Sequence, residues 1–249
     1  KILKQVDTVE NMFRKNYLEK KKFSISVPRA SYICDAFSSF SDALPKEGRF
    51  EIFYKETNAL RAIKNILEAD YRLGIIRYSE QYDKYYKDML ESKGLHYELV
   101  TEFHYQLLMN KNSPLAALEE IHFSDLAGFI EIAHADPYVP SLPLSEVKKE
   151  ELPDTEKRIF VFERASQFEL LAKNPNTFMW VSALPEWTLK RYGLVQKCSR
   201  ENRKIYKDLM VYKKDYQLTD LDKAFIRELD RVKKDLFGDL SDGKGERGK

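Results

Sequence analysis

Residues 23–54, FSISVPRASYICDAFSSFSDALPKEGRFEIFY, contain the pattern that decides the fold. Phe23–Val27 and Phe50–Tyr54 are short runs of β-branched and aromatic residues, which are typical of strands. The segment between them, Ser31–Leu44, has its apolar residues at helical spacing. Strand, helix and strand in this order predict two parallel strands joined by a helical crossover, which is the unit of an α/β fold.

The same alternation continues through most of the chain. Further strands are predicted at Leu73–Arg77, around Tyr105–Met109, and at Phe129–Ala133, Arg158–Phe162, Phe178–Ser182, Leu194–Lys197 and Asp208–Tyr212. Further helices are predicted at Asn58–Asp70, Tyr82–Lys93, Ser166–Lys173 and Pro185–Tyr192, with a last one that opens at Thr219 as its N-cap. The segment Asp136–Pro153 is interrupted by prolines and predicts no long element.

Composition places the chain among globular proteins of one large domain or two smaller ones. Its 249 residues are 43% hydrophobic, which is enough to bury a core without disulfides or metal ions. The 42 Lys and Arg residues nearly balance the 40 Asp and Glu residues. A net charge of +2 therefore excludes a global basic field of the kind that drives nonspecific nucleic-acid binding.

The first 22 residues differ from the rest. Ile2, Val6, Val9 and Phe13 recur at the spacing of a heptad helix. One amphipathic helix cannot bury its own apolar seam, so this segment either packs on its own domain or pairs with a helix of another chain. At the other end, residues 238–249 are rich in glycine, and we expect a disordered tail.

The sequence carries no signature of catalysis, of a resident metal or of a cofactor. No glycine cluster forms a phosphate loop, and neither a GxSxG nor an HExxH motif occurs. The four histidines are dispersed, and Cys34 and Cys198 are too few for a disulfide framework. The longest stretch without charged residues, Asn174–Pro185, is too short to span a bilayer, and the N-terminus has no apolar signal run. We therefore expect a cytoplasmic protein that is not an enzyme, and the absence of an initiator Met suggests the rear part of a longer chain.

The order of these pieces resembles the rear part of a LysR-type transcriptional regulator. The likeness rests on the heptad helix, on the segment from Phe23 to Tyr54, and on Leu67–Ile76. It continues through further elements at Gln106–Met109, Ser113-Pro-Leu-Ala116, Val181-Ser-Ala-Leu-Pro185, Gly193-Leu-Val195 and Asp208–Leu229. It covers about nine tenths of the chain, and its weight comes from the order and spacing of these motifs together.

The resemblance implies a periplasmic-binding-protein type II fold, in which two α/β subdomains flank a cleft and two crossover strands join them. Subdomain I would comprise residues 23–103 and 205–237, and subdomain II residues 104–204. Residues 1–22 would be the end of the linker helix through which such regulators dimerise. The DNA-binding winged helix-turn-helix is absent from this chain, which would be the effector-binding and oligomerising part of a dimer or tetramer.

The chain departs from the family pattern at two places. Arg72 stands where the family commonly has an acidic residue. The family's Gly-x-Gly element is replaced by Phe178 and Trp180, and two large aromatic side chains would narrow the cleft, fill it, or stack on a flat ligand. The sequence does not choose among these three and does not name the effector.

Ligands of open α/β sheets bind beyond the carboxyl ends of the strands, at helix N-termini that favour anions. The effector-binding candidates at such positions are Arg29, Ser31, Thr57, Asn58, Arg164 and Ser166, together with Phe178 and Trp180. Arg29 or Arg164 could hold a carboxylate through two hydrogen bonds. In the alternative, Ser31, Asn58 and Ser166 only cap their helices and the two arginines lie in solvent. A small anionic or aromatic metabolite is the expected partner. A solute-binding protein of a transport system on the same fold is the alternative.

Overall fold

Two five-stranded sheets organise the part of the chain that the computed structural model describes, residues 20–135, 138–140, 142, 153 and 155–238. The first sheet contains β1 (Lys21–Val27), β2 (Phe50–Glu56), β3 (Leu73–Ser79), β4 (Leu95–Phe103) and β10 (Tyr206–Lys213), in the order β2-β1-β3-β10-β4. The second contains β5 (Gln106–Asn110), β6 (Ile130–His134), β7 (Arg158–Val161), β8 (Thr177–Val181) and β9 (Leu194–Lys197), in the order β7-β6-β8-β5-β9. We call the two halves lobe I and lobe II.

Helices cover both faces of the sheet in lobe I. They are α1 (Ser31–Asp42), α2 (Ala59–Glu68), α3 (Asp83–Ser92) and α6 (Asp220–Phe237). In lobe II, α4 (Ala165–Lys173) and α5 (Glu186–Tyr192) pack on one face. Two single 3₁₀ turns, Pro114–Ala117 and Phe123–Leu126, contribute apolar residues to the other face. Each central strand is therefore buried on both sides, which explains the near-continuous apolar runs in the sequence.

Strand β3 shows how alternation divides the core of lobe I. Leu73 and Ile75 pack with α1 and α6 on one face of the sheet. Ile76 and Tyr78 point to the opposite face and pack with α2 and α3. Because successive side chains of a strand point to opposite faces, one strand supplies two separate hydrophobic clusters.

The chain crosses between the lobes twice, at residues 104–105 and 198–205. Asn202 Nδ2 donates a hydrogen bond to the Tyr105 carbonyl at 2.9 Å, and the His104 Nδ1 atom lies 2.8 Å from the Lys204 carbonyl oxygen. The predicted subdomain boundaries lie in these two connections. The crossings run side by side and bond to each other, and we call this double connection between the lobes the hinge.

The predicted α/β architecture of two subdomains is confirmed, with differences in detail. Strand β1 begins at Lys21 rather than Phe23, because Lys21 already pairs in register with Phe50. The strand β4 has no counterpart among the sequence predictions. Strands β1, β2 and β3 are parallel as expected, whereas β10 runs antiparallel to both of its neighbours, β3 and β4.

Several predictions fall on residues outside the described ranges. They concern the heptad residues Ile2, Val6, Val9 and Phe13, the tail beyond Gly238, and most of Asp136–Pro153. These stay predictions from the sequence.

Candidate functional site

The carboxyl ends of strands from both lobes meet across a cleft. Arg29 follows β1 in lobe I, and its Nε and Nη2 atoms donate to the carbonyl of Phe162, which follows β7 in lobe II, at 3.1 and 2.8 Å. Further along the cleft, Trp187 Nε1 donates to Asp35 Oδ1 at 2.7 Å. The lobes are therefore in direct contact in this form, and the cleft is closed.

An ion pair between Arg164 and Glu56 also crosses the cleft. The Nε atom of Arg164 donates to Glu56 Oε1 at 2.8 Å, and its Nη1 atom donates to the Ser31 hydroxyl at 3.3 Å. Each charged side chain is only 17% exposed. Burial lowers the pKa of Arg164, but the attraction and the hydrogen bond of Glu56, together with contributions from Cys34 and Tyr54, outweigh burial and raise the pKa, so the guanidinium stays charged.

A second buried arginine, Arg77, lies at the carboxyl end of β3 beside the hinge. Its Nε and Nη2 atoms donate to the two carboxylate oxygens of Asp208 at 2.8 and 2.7 Å, a bidentate pair, and Nη2 also lies 3.3 Å from Ser182 Oγ in lobe II. The guanidinium packs 4.5 Å from the ring centre of Phe103. The Tyr32 hydroxyl donates to the same Asp208 at 2.5 Å.

The environment of this network fixes its charges. Burial raises the pKa of Tyr32 far above its ordinary value, and the Asp208 carboxylate raises it further. Tyr32 therefore stays protonated as a donor. Burial alone would lower the pKa of Arg77, but the attraction and hydrogen bonds of Asp208, together with contributions from Tyr105 and Tyr32, outweigh burial and raise the pKa. Arg77 and Asp208 are not among the residues predicted from the sequence, since 131 residues separate them and neither belongs to a motif. The available signal was a charged residue at the end of each of two apolar strands.

Two adjacent cavities lie in the closed cleft. The smaller, about 50 Å³, is lined by residues of both lobes, among them Arg29, Ser31, Arg77, Gln167, Trp180 and Ser182. The larger, about 130 Å³, is lined by Thr57, Asn58 and several tyrosines. Both are bounded by Arg29, Arg77, Tyr105 and His134, so the two cavities form one binding region next to the hinge.

The helix N-termini at the cleft differ in how they are capped. Ala30 occupies the N-cap of α1 and offers no side-chain hydrogen bond, and the hydroxyl of Ser31 accepts from Arg164 instead. Asn58 caps α2, because its Oδ1 atom accepts from the backbone N–H of Arg61 at 2.9 Å. The first turn of α1 therefore presents backbone N–H groups at the smaller cavity without a side-chain cap.

Four sequence candidates remain. Thr57 and Trp180 each line one of the two cavities, whereas Ser166 and Phe178 line neither of them. Thr57 is buried and lines the larger cavity, and Trp180 lines the smaller one. The Ser166 hydroxyl donates to the Glu163 carboxylate. Phe178 is fully buried in the core of lobe II; it lies on the same face of β8 as Trp180, but two residues further from the carboxyl end of the strand. The cleft thus contains one of the two aromatic residues that replace the family's glycines.

Comparison with solved structures identifies the architecture. The regulatory domain of MetR, a LysR-family regulator from Neisseria meningitidis, superposes with a TM-score of 0.54 at 16% identity over 88% of this chain and 96% of that one. The C-terminal domain of a probable LysR-family regulator from Rhodococcus sp. RHA1 gives 0.55 at 12% identity over 85% and 99%. The effector-binding domain of QuiR, solved with shikimate, gives 0.54 at 14% identity over 88% and 98%. The chain has the fold of LysR-family effector-binding domains.

The likeness confirms the sequence-based resemblance at the level of the fold. The MetR and Rhodococcus structures are domains of LysR-family regulators. No protein-family model matches the sequence, and no curated protein sequence matches it.

Arg72, which departs from the family pattern, has a structural role here. Its Nη1 atom donates to the Lys22 carbonyl at 3.1 Å, and its backbone N–H donates to Ser24 Oγ at 3.0 Å. Arg72 therefore ties the start of β3 to β1.

Two features are absent from the described residues. No three His, Cys, Asp or Glu side chains there lie close enough together to hold a metal ion. Within the same residues, no helix combines the length and the apolar character that crossing a membrane requires.

Proposed function

We propose that this chain is the effector-binding and oligomerising domain of a LysR-type transcriptional regulator of the cytoplasm, and that a small metabolite binds in the cleft. The observation that carries the proposal is the pair of cavities at the strand ends, lined by side chains of both lobes and next to a two-stranded hinge. Support comes from the fold, which this chain shares with a domain solved in complex with shikimate.

The cross-cleft bonds suggest how binding would act on the lobes. A ligand that contacts both lobes favours one angle between them, and it shifts the population toward that angle by its difference in affinity. Arg29 and Arg164 provide cationic groups on opposite sides, and an anionic ligand would compete with Glu56 for Arg164. The change of angle would reach the DNA-binding domain through the segment that precedes Lys20.

The edge strands favour an oligomer. Strand β2 forms one edge of the first sheet and exposes Phe50 and Phe53 by 40% and 48%. Strand β7 forms an edge of the second sheet, where Phe160 and Phe162 are 52% and 70% exposed. Edge strands with exposed aromatic residues are open to pairing with another chain. We expect Phe53→Lys to weaken self-association in sedimentation velocity. Leu118→Lys, at an exposed position on neither edge strand, is the control.

Thermal shift and calorimetric titration with a set of metabolite carboxylates and aromatic metabolites test ligand binding. A ligand at about 100 times its Kd raises the free energy of unfolding by roughly 2.7 kcal/mol. Arg164→Ala and Ser31→Ala should weaken the binding of an active compound, whereas Arg200→Ala, which removes an arginine that is 85% exposed, should not. Unchanged affinity in both cleft variants would refute the site, and the absence of any active compound would refute the proposed function.

A further inference from the structure

The chain supplies both partners of a charged contact across the closed cleft. Glu56 is the last residue of β2 in lobe I, and Arg164 is the N-cap residue of α4 in lobe II. The Arg164 Nε atom donates to Glu56 Oε1 at 2.8 Å. A ligand that contacts both lobes stabilises the closed form. Glu56 makes such a contact from within the chain, so Arg164 needs no external anion as its partner.

The Glu56–Arg164 pair is held less firmly than the buried pair Arg77–Asp208. Arg77 donates hydrogen bonds to both carboxylate oxygens of Asp208, whose side chain is fully buried. Arg164 donates one hydrogen bond to Glu56, and each of these two side chains is 17% exposed. A free carboxylate can bind a guanidinium through two bonds. A small carboxylate from solvent can therefore replace Glu56 at Arg164 more easily than it can replace Asp208 at Arg77.

The pair also adjoins the proposed binding region. The Arg164 Nη1 atom donates to the Ser31 hydroxyl at 3.3 Å, and Ser31 lines the smaller cavity. Thr57, which follows Glu56 in the chain, lines the larger cavity. The guanidinium of Arg164 is therefore one side chain away from the smaller cavity.

We propose that Arg164 is a carboxylate-binding residue that the chain occupies with its own Glu56, and that an effector carboxylate binds by taking the place of Glu56. Glu56 then acts as a tethered competitor. It closes the cleft in the absence of effector, and it weakens the binding of any external carboxylate. This inference rests on the proposed function and adds to it a ligand class and the residue that regulates its binding.

Arg29 is the competing candidate for an added anion, because it lines both cavities. Its Nε and Nη2 atoms donate to the Phe162 carbonyl, so it too contacts the opposite lobe. The experiment therefore includes variants that separate the two arginines.

Acetate is the probe, because Glu56→Ala removes a CH₂–COO⁻ group and acetate has nearly the same shape and charge. The melting temperature and the radius of gyration of the full chain are measured at pH 7 against rising acetate, with equal concentrations of sodium chloride or acetamide for comparison. We expect acetate to raise the melting temperature of Glu56→Ala and to reduce its radius of gyration, whereas chloride and the neutral acetamide do neither. The wild type should need roughly tenfold more acetate for the same rise, because the apparent affinity falls with the fraction of molecules in which Arg164 is free.

Two double variants locate the bound acetate. Glu56→Ala with Arg164→Gln should lose the acetate effect, and Glu56→Ala with Arg29→Gln should keep it. Glu186→Ala, which removes the exposed partner of Lys190, is the matched control and should not respond to acetate. If Glu56→Ala does not fold, Glu56→Gln supports the same comparison, because its neutral amide leaves the charge of Arg164 uncompensated.

Several outcomes would overturn the inference. They are an equal acetate effect in the wild type and in the Glu56 variant, an effect that survives Arg164→Gln, an effect that Arg29→Gln removes, and no acetate effect in either Glu56 variant. Each of them leaves the proposed function standing if any compound of the metabolite set binds the cleft. If none does, the proposed function fails as well.

Discussion

The ion pair between Glu56 and Arg164 should contribute measurably to holding the lobes together. Each side chain is 17% exposed, and the Nε–Oε1 distance is 2.8 Å. At an effective dielectric constant of about 20, two unit charges 4 Å apart attract by about 4 kcal/mol. Desolvation offsets much of this, and opening of the cleft lets both groups regain water. We therefore expect a coupling free energy of roughly 1–2 kcal/mol between the two side chains.

A double-mutant cycle measures this coupling directly. Glu56→Gln, Arg164→Gln and the double variant are compared with the wild type in urea denaturation. Small-angle scattering of the same four proteins should show a larger radius of gyration in the single variants, because the remaining buried charge favours an open, hydrated cleft.

The exposed pair Glu186–Lys190 is the matched control. Its N–O distance is 2.7 Å, but its side chains are 77% and 74% exposed. Exposed pairs at this helical spacing couple by only about 0.3–0.5 kcal/mol. If the cleft pair coupled no more strongly than this control, and the radius of gyration stayed constant, the ion pair would not be holding the lobes together.

Three further changes have expected outcomes in urea denaturation. Asp208→Asn removes the partner of the buried Arg77 and should lower the free energy of unfolding by about 3–5 kcal/mol. Burial raises the pKa of Asp83, but hydrogen bonds from Lys87 and Tyr78 and the attraction of Lys207 and Lys87 together outweigh burial and lower the pKa. This carboxylate therefore stabilises the fold above the ordinary Asp pKa of about 3.9, and the effect is lost as pH falls through the lowered value. Asp83→Asn should accordingly destabilise at pH 7 and make no difference near pH 2. Gly193 ends α5 with φ of 63°, so Gly193→Ala should cost roughly 1–2 kcal/mol.

Asp88→Asn is the control for both aspartate variants, since this carboxylate is 62% exposed. We expect a change within about 0.5 kcal/mol. An Asp208→Asn variant as stable as this control would contradict the assigned role of the buried pair. An Asp83→Asn effect that persisted at pH 2 would contradict the electrostatic origin.

The sequence predicts the sheets and helices well where burial follows a regular period. It misses β4 because the pairing register shifts at Asp208/Leu209, opposite Leu99 and Thr101. The irregularity leaves Leu99 43% exposed and buries Val100, so the alternation that marks a strand is broken. A regular alternation of apolar residues is thus enough to locate a strand in the sequence, but a strand with a bulge, such as β4, is not recognised.

The candidate site could be predicted only in part. Residues that follow strand ends, such as Arg29 and Arg164, are recognisable because the fold places all such ends at one edge. The pairing of Arg164 with Glu56 depends on how the lobes meet, and no local pattern encodes it. The same holds for Gln167. It is the third residue of α4, and it lines a cavity only because residues of lobe I form the other side of that cavity.

The two crossings make lobe II an insertion within lobe I. Phe103 and Tyr206, which flank it, are direct partners in neighbouring antiparallel strands, so their Cα atoms lie about 5 Å apart. A two-residue hairpin turn would join them as well as the whole of residues 104–205 does. The first sheet could therefore be completed without the second lobe, and one half of the binding region could be exchanged in evolution or by grafting while the other half keeps its own hydrogen-bonded framework.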